Sequence, residues 1–449
     1  MSNNTDIENF KYLKISAKKK RLLQYACLAF FAFMAVFYLI AFTSRSWRDV
    51  GEEIPPELRH TFHGLKYKAP CDAELRYTES THFLLGNNIF DVINGKIPQN
   101  EDFIVPLGAG TAPWAFVLGL PFVFPFWPIK TAMMATLFVY VAISAAACFI
   151  LYKYGKKNLG STVLALTLPF LYLAQTGFSF SLLLGNHSII IYAIIIVLAF
   201  SDFFEKHQII GGLILGISMI KPHMALLFFL PLLFQKRFLL IGIAAATVIA
   251  AWGFVAFWVD ANPLDLLAQC EEQGRNCIIR KDIYMGLVGT IGQSFGFTGE
   301  HSVSIMLKIG IVLFGTITMW ISYKMRNENK LYVYAIIASI TAIWTYGLSQ
   351  NTTGLYVLMA VPIFISLLRS ETVSFFKLAV FALAFVAMMI HIPRNTFGLE
   401  EGNLFPYADD ISRLYMVFVA FYIFFDAKRQ SFYNKLKTYE VSSAKSESV

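Results

Sequence analysis

Apolar segments long enough to form helices recur along almost the whole chain, and short charged stretches separate them. The first segment, Leu22 to Phe42, follows the basic run Lys18 to Arg21. It is longer than the apolar core of a signal peptide and no small-residue cleavage site follows it, so we interpret it as a retained helix. Because a hydrocarbon core about 30 Å thick requires about 20 helical residues, the pattern predicts an all-α polytopic membrane protein.

The later apolar segments extend this prediction to one transmembrane domain, residues 22–427, with about 12 helices. Two of the segments, 208–220 and 223–234, are short, and we interpret them as broken half-helices. The apolar segment 113–129 contains four prolines, so two interpretations stay open for it: an interfacial segment or an extra pair of crossings. The other candidate spans are 131–152, 160–176, 187–204, 238–259, 302–323, 331–348, 353–368, 373–391 and 412–427.

Basic residues at the helix ends orient these spans, because lysine and arginine are retained on the cytoplasmic side of a membrane. Both tails, 1–21 and 428–449, are then cytoplasmic. The loops 43–112, 260–301 and 392–411 face outward. The basic residues that fall on the cytoplasmic side are Lys18 to Arg21, Lys153, Lys156, Lys157, Lys206, Lys236, Arg237, Lys324, Arg326, Lys330, Arg369, Lys428 and Arg429.

Composition agrees with a membrane protein and excludes an ordinary soluble domain. Of the 449 residues, 57% are hydrophobic and 15% are charged, and the formal net charge is +8. The helix flanks and the basic N-terminal tail account for most of this charge. It therefore indicates attraction to anionic membrane lipids, and no nucleic-acid partner is expected.

Several common chemical signatures are missing from the sequence. It contains no GxGxxG, GxxxxGK or GxSxG motif, and no cysteine–histidine array with zinc spacing, so neither a cofactor nor a metal site is predicted. Cys270 and Cys277 share one outward loop. Two states stay open for them, a disulfide ring and two separate thiols.

The first outward loop contains a dense polar stretch from Cys71 to Asp91. A helix with Asp72 as N-cap would bring Arg76 and Glu79 together on one face and turn Phe83 and Leu84 toward the membrane. Gly86 and the asparagines after it would end this helix. From these residues alone, a capping role for Asp72 is favoured over a catalytic one. Solvated or structural roles are expected for Glu74, Glu79 and Asp91.

Four motifs in order resemble GT-C membrane glycosyltransferases of glycosyltransferase family 87. The first is an aspartate at the start of a loop helix, Asp72, with Tyr77 about one turn later and the run Leu84 to Asp91 after it. The others are Thr111 to Trp114, then Gly185-Asn186-His187, then a glycine-rich segment from Gly211 that ends in Lys221-Pro222. The resemblance covers roughly residues 20 to 370.

This resemblance implies a GT-C-type helical bundle with a large outward first loop. It implies a hexosyltransferase that moves a monosaccharide, with inversion, from a polyprenyl-phosphate donor to a lipid-linked or cell-envelope glycan acceptor. The reaction would take place at the outer face of the inner or plasma membrane of the cell. No metal is required by that mechanism, because the donor has one phosphate and basic side chains can replace a cation. Asn186, His187 and Tyr77 are expected to bind substrate.

Inverting glycosyl transfer needs a carboxylate that takes the acceptor proton and positive charge that stabilises the departing phosphate. Asp72 is the candidate for the first role. The candidates for binding the donor phosphate are Lys221, Arg394, His391, His223 and Arg280. Plainer roles also stay open, as snorkelling anchors for Lys221 and Arg394 and as backbone hydrogen-bond partners for His187 and His223.

A second class of function is a transporter or flippase of lipid-linked sugars, which would also use a basic outward cavity. Ion-coupled transporters carry ionisable residues near the bilayer midplane and show repeated halves, and neither feature is found in the sequence. The charged residues cluster at the outward helix ends instead, which favours an enzyme. A non-catalytic assembly subunit is a third alternative.

Overall fold

The computed structural model describes residues 12–14, 17–47, 50–54, 71–98, 112–280, 300–345, 354–369, 372–374, 379–380, 382, 415 and 417–429. These residues are overwhelmingly helical. The first half contains α1 (Ala17–Trp47), α2 (Cys71–Leu84), α3 (Ile89–Ile93), α4 (Pro113–Gly119), α5 (Ile129–Leu159), α6 (Thr162–Leu173), α7 (Thr176–Leu184) and α8 (Ser188–Phe200). It is followed by α9 (Phe203–Lys206), α10 (Gln208–Ser218), α11 (Pro222–Ala225), α12 (Phe229–Phe234), α13 (Phe238–Trp258), α14 (Pro263–Arg280), α15 (Glu300–Lys324), α16 (Lys330–Thr345) and α17 (Tyr356–Arg369).

One small antiparallel ladder accompanies the helices. Strand β1 (Tyr12–Lys14) pairs with β2 (Thr372–Ser374), with Leu13 opposite Val373. The ladder brings the chain just before α1 beside the chain just after α17, so α1 begins where α17 ends. This ladder is the one pair of strands that the described residues contain.

Ion pairs mark a second feature of the bundle, a basic end where several loops meet. Lys330 Nζ lies 3.3 Å from Asp202 Oδ1 and 3.0 Å from Glu205 Oε1. Lys428 Nζ lies 3.0 Å from Glu328 Oε1. Loops that the charge pattern assigned to one face are therefore in contact with one another.

The described residues support fewer membrane crossings than the sequence predicted. Two helices, α5 with 31 residues and α13 with 21, are long and apolar enough to cross a membrane. The pair α6 and α7, bent by 50° at its break, gives a third crossing if it forms one span. The predicted count of about 12 is thus not confirmed. The helical part of 113–129 covers ten residues, roughly 15 Å, and is too short to cross.

Breaks in three apolar stretches determine where the polar residues emerge. The chain leaves helical structure between α6 and α7, between α7 and α8, and between α10 and α11. As predicted, 208–234 consists of short helices, α10 with 11 residues and then α11, a 3₁₀ turn and α12. Asn186 and Lys221 lie in the second and third breaks.

Close packing of α10 against α13 fixes the position of the third break. A Cβ atom added at Gly212 would lie 2.6 Å from Cβ of Ile243, and one at Gly216 would lie 2.8 Å from Cβ of Thr247. Glycines four residues apart let two helix backbones approach closely within a membrane. Because Lys221 follows α10 almost directly, this contact sets its height in the bundle.

We predict that Gly212→Ala lowers the melting temperature of the purified protein. The new methyl group would force α10 away from α13, and overpacking of this kind costs about 1–3 kcal/mol. The matched control is Gly242→Ala, because no atom lies within 4 Å of a Cβ at Gly242. Thermal unfolding in detergent, followed by tryptophan fluorescence, measures both, and equal melting of the two variants would refute the close contact.

Candidate functional site

Helix α2 carries the first group of polar residues. It begins at Cys71 and has Asp72 and Glu74 in its first turn, where free backbone N–H groups favour negative charge. Asp72 thus lies inside the helix and not at the predicted N-cap. The helix ends at Leu84, and Gly86 follows with a φ of +79°, so the predicted glycine stop is confirmed.

The carboxylate of Asp72 is linked to two residues from distant parts of the chain. Asn186 Nδ2 donates a hydrogen bond to Asp72 Oδ2, and Lys221 Nζ donates one to Asn186 Oδ1. Lys221 Nζ also lies 3.2 Å from Ser188 Oγ. The predicted base, a predicted substrate-binding residue and a predicted phosphate-binding residue therefore form one hydrogen-bonded chain.

Asn186 has a fixed orientation between α7 and α8. Gly185 ends α7 in the left-handed conformation, with a φ of +66°. Asn186 Oδ1 accepts hydrogen bonds from Ser188 N at 2.9 Å and from Ser188 Oγ at 2.7 Å. These bonds satisfy a free N–H group at the start of α8 and direct Nδ2 toward Asp72.

Aromatic donors anchor the helix ends beside the breaks. The hydroxyl of Tyr140 donates to the Gly185 carbonyl at 3.1 Å, and Trp47 Nε1 donates to the Leu182 carbonyl at 2.9 Å. Trp114 Nε1 donates to Met219 O at 2.7 Å, just after α10. Carbonyls at helix C-termini lack partners within the helix, so these bonds supply them and hold the backbone next to Asn186 and Lys221.

Arg76 also belongs to this site, although the sequence analysis paired it with Glu79 and gave it no role. Their predicted placement on one helix face is confirmed, because the two side chains form an ion pair, and Glu79 is only 1% exposed. The charge of Arg76 interacts with Lys221, His187 and Tyr140. A helical rotation of about 100° per residue puts positions 72, 76 and 79 on one face of α2. This spacing could have identified Arg76 from the sequence as a neighbour of the candidate base Asp72.

Two histidines lie close to the Asp72–Asn186–Lys221 chain. His187 is 3% exposed, and the rings of Phe122 and Tyr140 meet it edge-on at 6.3 and 6.4 Å. His223 interacts electrostatically with Lys221. Within the described residues, the Nε2 atoms of both histidines are buried and have no hydrogen-bond partner, so this nitrogen does not bond a backbone carbonyl in either residue.

Of the other predicted site residues, Tyr77 lies away from this arrangement, and the side chains of the remaining three lie outside the described residues. Tyr77 is buried about 140° around α2 from Asp72, and its hydroxyl donates to Trp127 O at 2.8 Å. Arg280 is the last residue of α14, and its side chain lies outside the described residues. His391 and Arg394 also lie outside them. The described residues contain no group of three His, Cys, Asp or Glu side chains that could hold a metal ion.

The expectation that Phe83 lies on the membrane is wrong. Phe83 is 1% exposed and stacks on Phe116 at 6.2 Å between ring centroids. Trp258 Nε1 donates to Phe83 O at 2.8 Å, which ties α2 to the end of α13. The apolar side of α2 is therefore covered by protein, and the helix has a fixed place above the bundle.

Of the two states left open for Cys270 and Cys277, the structure excludes the disulfide ring between them. Both residues lie on α14, and Cys270 is a reduced thiol. Seven residues along a helix span about 10 Å, whereas disulfide Cα atoms lie within about 7 Å.

Acidic residues of the first loop differ in their surroundings. Asp91 has the expected structural role, because it pairs with Lys96 at 2.9 Å and accepts from Gln269 of α14 at 3.2 Å. Glu74, in contrast, is buried, with only 3% of its surface exposed. Its Oε2 has no hydrogen-bond partner among the described residues. Burial raises the pKa of Glu74 to about 8.

Apolar helices with a polar site at one end define a membrane-embedded helical protein. Comparison with protein families matches residues 112–345 to glycosyltransferase family 87. This segment is more than half of the chain, so the chain belongs to glycosyltransferase family 87 and is a glycosyltransferase. The match includes Asn186, His187 and Lys221 but begins after Asp72 and Arg76. No curated protein matches the chain.

We predict that Glu74 makes the protein less stable as pH rises. A carboxyl group with a raised pKa keeps its proton in the folded state while the unfolded chain releases it, so stability falls between the ordinary pKa of 4.5 and about 8. Glu74→Gln should therefore melt higher than the parent at about pH 9 and similarly at about pH 5. The control is Glu271→Gln on the exposed side of α14, which should melt as the parent does at both pH values. If the melting temperatures of the parent and of Glu74→Gln changed equally with pH, the buried, protonated state of Glu74 would be contradicted.

Proposed function

We propose that this glycosyltransferase transfers a hexose from a polyprenyl-phosphate donor, with inversion, to a hydroxyl of a lipid-linked or cell-envelope glycan at the outer face of the cell membrane. The observation that carries the proposal is the chain Asp72–Asn186–Lys221. It holds a carboxylate and an ammonium group on opposite sides of one amide at the end of apolar helices. Such a site suits a substrate whose lipid tail lies in the bilayer.

In the proposed step, the acceptor oxygen forms a bond to the anomeric carbon while the bond from that carbon to the phosphate oxygen breaks. The acceptor proton passes to the carboxylate of Asp72, and polyprenyl phosphate leaves with the bonding electrons. The hydrogen bond from Asn186 is made to Oδ2 of Asp72, and we assign Oδ1 to the proton. General-base catalysis by a positioned carboxylate contributes about 10²- to 10⁴-fold to the rate.

Lys221 is assigned to the leaving phosphate. The donor is a phosphodiester with one negative charge, and the released monoester gains a second, so a cation beside the phosphate stabilises the product side of the reaction. Lys221 contacts Asn186 and Ser188, which supports this role over that of a snorkelling anchor. The first turn of α8 adds N–H groups that favour an anion.

We assign both neighbouring histidines to the sugar, whereas the sequence predicted His223 as a ligand of the donor phosphate. Their buried Nε2 atoms have no hydrogen-bond partner among the described residues, and a sugar hydroxyl would supply one. His391, Arg394 and Arg280 stay candidates for the donor phosphate on the sequence argument alone. The polyprenyl donor and the glycan acceptor likewise rest on the resemblance and on the chemistry of the site.

We predict that Asp72→Asn lowers sugar transfer by about 10²- to 10⁴-fold without loss of fold. Asparagine has the same size and its side-chain oxygen can still accept the hydrogen bond from Asn186, so expression and melting should not change. Transfer is measured with purified protein, an acceptor extract and a panel of radiolabelled polyprenyl-phosphate hexoses. The matched control is Asp265→Asn, an exposed aspartate in the first turn of α14, which should transfer normally.

Near-normal transfer by a folded Asp72→Asn variant would refute Asp72 as the base. A flippase or an assembly subunit would also tolerate this change, because neither function requires proton removal at Asp72. Loss of transfer in this variant with the donor still bound supports the enzyme.

A further inference from the structure

A second cation faces the same site from helix α2. Arg76 lies one turn after Asp72, and about 100° of rotation per residue puts both on one face of the helix. The charge of Arg76 interacts with Lys221, in the break after α10, and with His187, just before α8. Three elements that are distant in sequence therefore direct polar groups toward one place.

Glu79 holds Arg76 in position. Its carboxylate is 1% exposed and forms an ion pair with Arg76 Nη1, whereas the Arg76 side chain is 20% exposed. A buried carboxylate needs such a partner, because the desolvation of an isolated charge is costly. The ion pair therefore fixes the direction of the guanidinium.

The charges of the site change together in the proposed step. Arg76 and Lys221 carry two positive charges, and Asp72 and Glu79 carry two negative ones. Transfer of the acceptor proton to Asp72 removes one negative charge while the leaving phosphate gains one. A guanidinium binds phosphate through two parallel hydrogen bonds, which an ammonium group cannot do.

We propose that Arg76 is the second phosphate-binding cation of the site, acting together with Lys221, and that Glu79 is a positioning residue for Arg76. This inference rests on the proposed function, because it assumes a donor with a phosphate. It adds to the site two residues that precede the family match.

Binding of two probes tests the proposal with the full-length protein in lipid nanodiscs. Farnesyl phosphate carries the phosphate of the leaving group on a short polyprenyl chain, and farnesol lacks it. Arg76→Gln should weaken farnesyl phosphate binding by about 10- to 150-fold, the effect of losing one charged hydrogen bond. Arg76→Lys should retain part of the affinity, and farnesol binding should not change in either variant.

The matched control is Lys96→Gln, which removes an exposed cation from the same loop region. It should bind farnesyl phosphate as the parent does. Glu79→Gln should lower the preference for farnesyl phosphate over farnesol, and Glu79→Asp should restore part of it. A purely structural role of Glu79 would change the melting temperature and leave this preference intact, which would overturn its positioning role.

Arg76→Gln leaves Glu79 as a buried charge, so a misfolded variant is a practical risk. The double variant Arg76→Gln/Glu79→Gln removes both charges, and it should fold and still bind farnesyl phosphate weakly. Parent-like binding by this variant, together with weak binding by Lys221→Gln, would overturn the inference and leave the proposed function intact. A parent protein that binds farnesyl phosphate no better than farnesol would refute the phosphate donor itself, and the role of Arg76 with it.

Discussion

The site depends on the hydrogen bonds of the Asn186 side chain. One amide accepts from Lys221 and Ser188 and donates to Asp72, so it ties the loop helix α2 to the breaks before α8 and after α10. An amide is suited to this place because its two ends differ: the nitrogen bonds the carboxylate and the oxygen bonds the ammonium group. An acidic or basic residue at this position would repel one of the two.

The breaks that deliver Asn186 and Lys221 are costly within an apolar bundle, because each exposes backbone carbonyls away from water. The structure offsets this cost with hydrogen bonds from Tyr140, Trp47 and Trp114 to the carbonyls beside the breaks. Gly212 and Gly216 then hold α10 against α13. Helix breaks, aromatic donors and close helix packing thus serve the same purpose, which is to keep polar groups fixed at one end of apolar helices.

Sequence reasoning identified features that are encoded locally. Gly86 as the end of α2 and the i,i+3 pair of Arg76 with Glu79 follow from backbone and helix geometry. The motifs around Asn186 and Lys221 led to the family.

Features that depend on tertiary packing were missed. The sequence predicted a solvated or structural Glu74 and a membrane-facing Phe83, but α2 packs on other helices and both side chains are buried. The proposed role of Arg76 was not predicted, because the groups around it, His187 before α8 and Lys221 after α10, are distant in sequence. The span count was not confirmed, because hydropathy does not distinguish short broken helices from full crossings.

A double-mutant cycle between Asp72 and Asn186, measured on sugar transfer by the purified protein, tests the central claim most directly. If Asn186 acts by holding Asp72, then Asn186→Ala should slow the parent and have little further effect in Asp72→Asn. The coupling free energy should be about 0.5–3 kcal/mol, as for residues in direct contact. Independent losses that multiply in the double variant would contradict the account, because Asp72 and Asn186 would then act separately.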